Sequence, residues 1–349
     1  MARIREVHVG VEPISRFAAL AGEERMRVME KAAATLRERY TGRALFNVNS
    51  TAVGGGVAEM LRPLLSYARG VGLDARWIVI GGDAEFFRIT KRLHHALHGS
   101  VGDGSDLGTR EHRHYQQVLD ENARELLEFV RPGDGVILHD PQTAGLTSHL
   151  VRAGARVVWR CHIGTEHRNE EVDRAVAFLA PYIAMAELHI FSRKAFLDMG
   201  FNSVRSAVVH PSVDAFSPKN APMTREAVEG ILVQAGLFEG PACPGAHTSF
   251  VQLDGTPGRV ERHADVVRFG SAPKLDQPLV LQVSRWDPLK DPIGVLRGFE
   301  AALAAELPVS PHLVLAGPNV RGVADDPEAA ATLDSVIEAL RAMPEHVRS

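Results

Sequence analysis

The 349-residue chain sets 39 lysines and arginines against 43 acidic residues, a net charge of −4 that offers no basic field to nucleic acid or an anionic membrane. Its 45% apolar content supports a sizeable core, and its length suits two domains better than one. Two cysteines, Cys161 and Cys243, exclude a disulfide framework and a cysteine-built zinc site, and the lack of a long apolar run or a charged-then-apolar leader reads as a cytoplasmic protein.

In chain order, 23–40 reads as a helix and 44–48 as a strand. That strand stops at Asn49, Ser50 and Thr51, passes Gly54, Gly55 and Gly56, and enters a helix over 57–69. Glycines without a Cβ let backbone N–H groups approach a ligand, and the helix start adds a positive dipole end suited to phosphate or sugar oxygens. The same glycine pattern also serves strand-to-helix turns of any doubly wound domain. Val57, Met60, Leu61, Leu64, Leu65 and Ala68 recur at helical spacing, with Pro63 set to kink the helix or cost it a hydrogen bond.

Further strands are expected at 75–80, 135–138, 156–159, 188–191, 207–209, 279–283 and 312–315. Helices are expected at 116–130, 169–186, 224–235, 292–307 and 327–343. This alternation predicts parallel βαβ units and an α/β fold. Residues 236–274, rich in Gly, Pro and polar residues, read as a long surface excursion. A hinge near Pro211 divides an N-terminal Rossmann-like domain, 1–211, from a second, 212–349, in which only about two strands with their helices are legible.

Three loops follow expected strand ends, where open α/β sheets bind ligands. They are Leu138-His139-Asp140-Pro141-Gln142, Trp159-Arg160-Cys161-His162-Ile163 and the stretch from Gln282 to Pro292. In the last, Arg285 and Lys290 bracket a turn feeding a helix, and two cations there suit a diphosphate. Alternatively Arg285 pairs with Asp287 or Asp291 on the surface. His139 and His162 suit sugar hydroxyls or a reacting oxygen, or are satisfied structural histidines, and Asp140 either orients His139 or caps the next helix. Cys161 reads as a small packed hydrophobe. His94 and His98 share one helix face, with His95, His112 and His114 nearby. No HExxH arrangement accompanies them, and no metal site is expected.

Taken together, NVNSTAVGGGVAEML, DAEFFRITKRLHHALHG, ILHDPQTAGL, VVWRCHI, PSVDAFSPKN, LQVSRWDPLKDPIGV and LAGPN–DDPE run in the order of a known family. The chain resembles retaining glycosyltransferases of the GT-B fold, in the trehalose synthase and trehalose phosphorylase group. The resemblance implies two Rossmann-like, doubly wound domains facing across a cleft, the second incomplete. It implies transfer of glucose from a nucleotide-diphosphate glucose to the anomeric hydroxyl of glucose, giving α,α-trehalose reversibly, or the use of phosphate and glucose 1-phosphate instead.

Its small-molecule partners would be sugars and the nucleotide sugar, the latter a co-substrate with no cofactor; no nucleic acid or membrane is implied, and a homodimer is compatible. By match, His162, Arg285 and Lys290 would sit at the catalytic centre. Asn49, Ser50, Gly54, Gly55, Gly56, Glu59, Lys91, His139, Asp140, Gln142, Arg160 and Asp287 would bind donor or acceptor. No carboxylate pair at glycosidase spacing is evident, which suits same-face attack assisted by the departing phosphate.

The chain departs from the family at Gly164-Thr165-Glu166-His167, at Thr143 where proline is usual, and at His95 where asparagine is usual. The family's two donor-site glutamates would lie beyond Ser349, so a truncated, inactive sugar- or nucleotide-binding protein is the rival reading. A nicotinamide oxidoreductase fits less well, because the glycines are contiguous although Asp74 lies near the distance for a ribose-binding acid.

Overall fold

A computed structural model describes residues 4–53, 55–201, 205–241, 245–252, 255–305, 308–320 and 327–348. The chain divides into two compact units, Met1–Asp214 and Ala215–Ser349.

The first unit runs β1 (Arg5–Val7), α1 (Ala18–Arg39), β2 (Ala44–Asn49), α2 (Gly56–Gly70), β3 (Asp74–Val79), α3 (Ala84–Leu97) and α4 (Thr109–Leu126). It continues β4 (Gly135–His139), α5 (Asp140–Thr143), α6 (Thr147–Arg152), β5 (Arg156–Cys161), α7 (Glu170–Ile183), β6 (Leu188–Phe191) and β7 (Ser206–Val208). One sheet in the order β1-β3-β2-β4-β5-β6-β7 results, parallel except for β1, which runs antiparallel to β3. The chain moves from β2 outward to β3, then crosses back to β4 on the other side of β2. The carboxyl ends of β2 and β4 therefore flank the switch point, the usual ligand crevice of open α/β sheets.

The two-residue pleat sorts side chains between the sheet faces. Ala75, Trp77 and Val79 share an apolar cluster with Met60, Leu61 and Leu65 of α2. Phe46, Val48, Ile78, Leu138 and Trp159 instead join Phe86 and Leu93 of α3, Leu119 of α4 and Leu179 of α7. With both faces covered the sheet is doubly wound, and each fully buried aromatic or leucine is worth about 1.5–3 kcal/mol. Asp83 caps α3 by accepting from the Phe86 N–H at 2.8 Å, and Asn169 caps α7 by accepting from Val172 at 3.1 Å.

Some expected elements shift. α4 occupies Thr109–Leu126 rather than 116–130. The Glu111 carboxylate fixes its start by accepting from the Gly108 N–H at 3.0 Å. Its end falls short of Pro132, where the residue before a proline disfavours helix. The helix over 169–186 is Glu170–Ile183, with Asn169 outside as its cap. Regular helix in α1 follows Gly22, at φ 75° and ψ 167°. α2 continues through Pro63, which removes a backbone donor without ending the helix. The spacing of His94 and His98 hinted at α3, and the three-residue β1 was not expected at all.

In the second unit α8 (Arg225–Gln234) precedes an antiparallel pair, β8 (Ser249–Val251) and β9 (Pro257–Arg259), which lies inside the expected 236–274 excursion. Then come β10 (Leu279–Val283), α9 (Pro292–Ala304), β11 (His312–Ala316) and α10 (Pro327–Ala342). β10 and β11 pair in parallel, so β10–α9–β11 is one βαβ unit. Its small core gathers Leu296, Val336 and Met343 with Trp286, Ile293, Leu313 and Leu315 around them.

Candidate active site

Asn47, Asn49, His139 and Arg160 alternate with Phe46, Val48, Leu138, Trp159 and Cys161, so the pleat turns them toward the face covered by α2. All four are buried, His139 to 1% exposure and Arg160 to 7%. Strands buried on both faces normally read as near-continuous apolar runs, so this polar row at the switch point is the exception that marks a site.

The row is hydrogen-bonded across strands. His139 Nε2 lies 3.0 Å from Asn47 Oδ1, and His139 Nδ1 lies 3.0 Å from His162 Nε2. The two imidazoles are nearly parallel, 14° apart with centroids at 5.3 Å. Beyond them, His162 Nδ1 lies 3.4 Å from Ser192 Oγ, just past β6. Burial, then the neighbouring His162 and Arg160, hold His139 far below the usual histidine range. Burial and Arg160 take His162 down to about 3. Both rings are therefore neutral at physiological pH.

Asp140 begins the HDPQ turn at φ 62°, a left-handed conformation that a residue with a Cβ adopts at a cost of about 1–2 kcal/mol. The turn is held on several sides. The Tyr115 hydroxyl donates to the Pro141 carbonyl at 2.5 Å and accepts from the Gly145 N–H at 3.1 Å. Trp159 Nε1–H donates to the Asp140 carbonyl at 3.1 Å, and Thr143 Oγ1 donates to the His139 carbonyl at 2.8 Å. Asp140 Oδ1 accepts from the His162 backbone N–H at 2.7 Å. Burial pushes this carboxyl up to about 7, against the opposing pull of that N–H and of Arg160.

Arg160 is the nearby cation. Its Nη2 donates to the Val209 carbonyl at 3.4 Å, while its buried Nε has no partner among the described residues. Burial lowers its proton affinity and Asp140 opposes that effect. A buried guanidinium nitrogen without an acceptor costs energy unless a ligand or water supplies one. Half-buried Gln142 adds an amide within the same turn. A titrating carboxyl, a fixed guanidinium and an amide suit a ligand rich in hydroxyls.

The other expected residues divide. Asn49 is occupied locally: its Oδ1 accepts from Trp77 Nε1 at 2.8 Å and its Nδ2 donates to the Thr51 carbonyl at 2.7 Å. Ser50 is half-buried beside it. Gly54 lies outside the described residues. Gly55, at φ 97°, precedes α2 without a side-chain cap, and a Cβ on Gly55 or Gly56 would meet nothing within 4 Å. The α2 start is thus open backbone rather than a packing contact. Glu59 is exposed within the first turn. Lys91 lies on α3, which packs against the opposite face of the sheet.

Arg285, Asp287 and Lys290 belong to the second unit. Arg285 Nη2 reaches Asp287 Oδ2 at 3.4 Å, the pairing considered as an alternative from the sequence. Asp287 is buried and also accepts from the Leu289 N–H at 2.9 Å, so it builds the turn. Lys290 is exposed, and its carbonyl accepts from Gln282 Nε2 at 2.8 Å. Cys161 is buried and packs in the core of the α3 side of the sheet. Among the described residues no three His, Cys, Asp or Glu side chains group to hold a metal ion. Sequence reasoning passed over Asn47 and Ser192; the alternation of Asn47 and Asn49 with Phe46 and Val48 was the available signal.

The α/β architecture is shared with solved glycosyltransferases, and the fold is GT-B. A crystal structure of an α,α-trehalose-phosphate synthase (UDP-forming) from Burkholderia vietnamiensis superposes with a TM-score of 0.58 at 15% identity, covering 88% of this chain and 72% of that one. Residues 47–198 match the family model described as trehalose synthase, N-terminal domain, and the chain is similar to trehalose synthases and trehalose phosphorylases. It is 28% identical to the trehalose synthase of Rubrobacter xylanophilus over 327 residues, 93% of this chain and 66% of that protein. It is 24% identical to the trehalose phosphorylase of Pleurotus sajor-caju, covering 97% of this chain and 45% of that protein. The chain thus spans less than two thirds of the length of these relatives.

Proposed function

We propose that this chain acts in retaining glucosyl transfer to and from trehalose. Glucose would pass from a nucleotide-diphosphate glucose to the anomeric hydroxyl of a second glucose, giving α,α-trehalose and the nucleoside diphosphate. The observation that carries this reading is the Asp140–Arg160–His162 group at the switch point of a GT-B sheet, in a chain related to trehalose synthases.

In this reading Asp140 and Gln142 accept and donate hydrogen bonds at the hydroxyls of the acceptor sugar, and the Arg160 Nε–H donates to one of its oxygens. The N–H groups of Gly55 and Gly56 would donate to an oxygen-rich ligand at the start of α2. Arg285 and Lys290 would neutralise the departing diphosphate, where charge develops and fixed cations lower the barrier most. The nucleotide sugar is consumed as a co-substrate, and no cofactor enters. No described helix is long and apolar enough to cross a membrane, and the proposed substrates are small water-soluble sugars.

Asp140→Asn tests the assignment. The amide oxygen can still accept from the His162 N–H, so the turn is kept while the carboxylate is lost. Glucosyl transfer is expected to fall ~100-fold, in the range found for removing one preorganised polar group. Unchanged transfer would remove Asp140 from the site. Product formed only with glucose 1-phosphate as donor would assign the chain to the phosphorylase reaction.

A further inference from the structure

Four neighbouring strands, β2, β4, β5 and β6, each place one polar group in a continuous line: Asn47, His139, His162 and Ser192. The line has a direction. Asn47 presents its carbonyl oxygen to His139, and an oxygen of this kind only accepts, so His139 must carry its proton on Nε2. A neutral His139 then offers Nδ1 as an acceptor, and His162 Nε2 must donate to it. His162 Nδ1 is left as the acceptor for the Ser192 hydroxyl.

We infer that Asn47 and Ser192 are positioning residues: the Asn47 carbonyl oxygen sets both histidines as neutral Nε2–H tautomers, and Ser192 holds the His162 ring in its plane at the rim of the site. The sequence comparison assigns neither residue a role. Both are buried, Asn47 to 2% exposure and Ser192 to 5%, so bulk water does not substitute for either bond. Moving the proton of His139 to Nδ1 would leave Asn47 Oδ1 without its donor, and would set N–H against N–H at 3.0 Å unless His162 shifted its own proton as well. The charged groups facing the pair are Arg160 on β5 and Asp140 on the HDPQ turn, and Asp140 takes the His162 backbone N–H rather than a ring nitrogen.

The consequence for the site is specific. With its two ring nitrogens turned to His139 and Ser192, His162 meets a sugar through its ring face and edge. The directional polar contacts fall to Asp140, Arg160 and Gln142. That consequence rests on the glucosyl-transfer reading; the tautomers do not.

The test is ring ¹⁵N NMR of the whole labelled chain at pH 7, with His139 and His162 assigned through His139→Gln and His162→Gln. Both rings are expected as Nε2–H. Ser192→Ala is expected to move the His162 Nδ1 resonance downfield, as its hydrogen bond is lost, with His139 unchanged. Asn47→Leu is expected to let the pair exchange between tautomers, and Asn47→Asp, which still presents an oxygen, to restore Nε2–H on His139. An Nδ1–H tautomer at either ring in the parent chain overturns the inference, as does a Ser192→Ala spectrum identical to the parent at His162. These readouts need no turnover, so failure of the glucosyl-transfer reading leaves them decided. If that reading holds, Ser192→Ala lowers kcat about tenfold with KM for glucose within twofold, and Ser192→Thr restores it; equal loss in both variants overturns the role in catalysis.

Discussion

Asp140 and His162 sit side by side and respond to pH in opposite directions. His162 titrates near 3 in the fold against an ordinary 6.5, so its contribution to stability is complete above about 6.5 and lost as the pH falls toward 3. Asp140 titrates near 7 in the fold against 3.8, so its contribution is complete below about 4 and lost as the pH rises through 7. Two outcomes are expected from melting temperatures across pH. His162→Gln should flatten the acid limb between pH 6.5 and 4. Asp140→Asn should gain stability relative to the parent at pH 8 but not at pH 4. A carboxyl whose removal improves the fold at pH 8, yet lowers transfer ~100-fold, is one held in place for function.

At the scale of elements, α2 and its glycine start separate two properties that are usually confounded. Gly55 at φ 97° and ψ 152° occupies backbone space reserved for glycine, so Gly55→Ala is expected to cost ~1–3 kcal/mol in urea unfolding. Gly56 lies within the helix and faces open space, so Gly56→Ala is expected to stabilise by about 0.5 kcal/mol while weakening ligand binding at the N–H groups it shields. Equal destabilisation by both would mean the loop serves packing rather than a ligand.

Most of the sheet could be read from the sequence because its strands carry strong apolar runs, and the carboxyl-end loops at His139 and His162 followed from the strand ends. The boundaries of α4 could not, since they depend on the Glu111–Gly108 contact and on Pro132. The line from Asn47 to Ser192 was hidden for a different reason: its members are far apart in sequence and meet only through the strand order. The Arg285–Asp287 pair could be read as an alternative, because two residues of separation bring them together in any tight turn.

The two units differ in how much core each possesses. Met1–Asp214 has a seven-stranded sheet with apolar clusters on both faces, whereas Ala215–Ser349 buries a small cluster around Leu296 and exposes most of β10, with Leu281 at 55% and Val283 at 71%. Hydrogen exchange is expected to report this difference. Amides of β2, β4 and β5 should be the last to exchange, and those of β10 among the first in regular structure. A single uniform exchange rate across both sheets would contradict it.

The central claim is glucosyl transfer at the Asp140–Arg160 group, and anomer-resolved NMR tests it most directly. The chain would be incubated with glucose and a panel of nucleotide-diphosphate glucoses, with glucose 1-phosphate alongside. The account predicts α,α-trehalose with stoichiometric release of the leaving group, lowered ~100-fold by Asp140→Asn. Absence of any glucosyl product from every donor would contradict it.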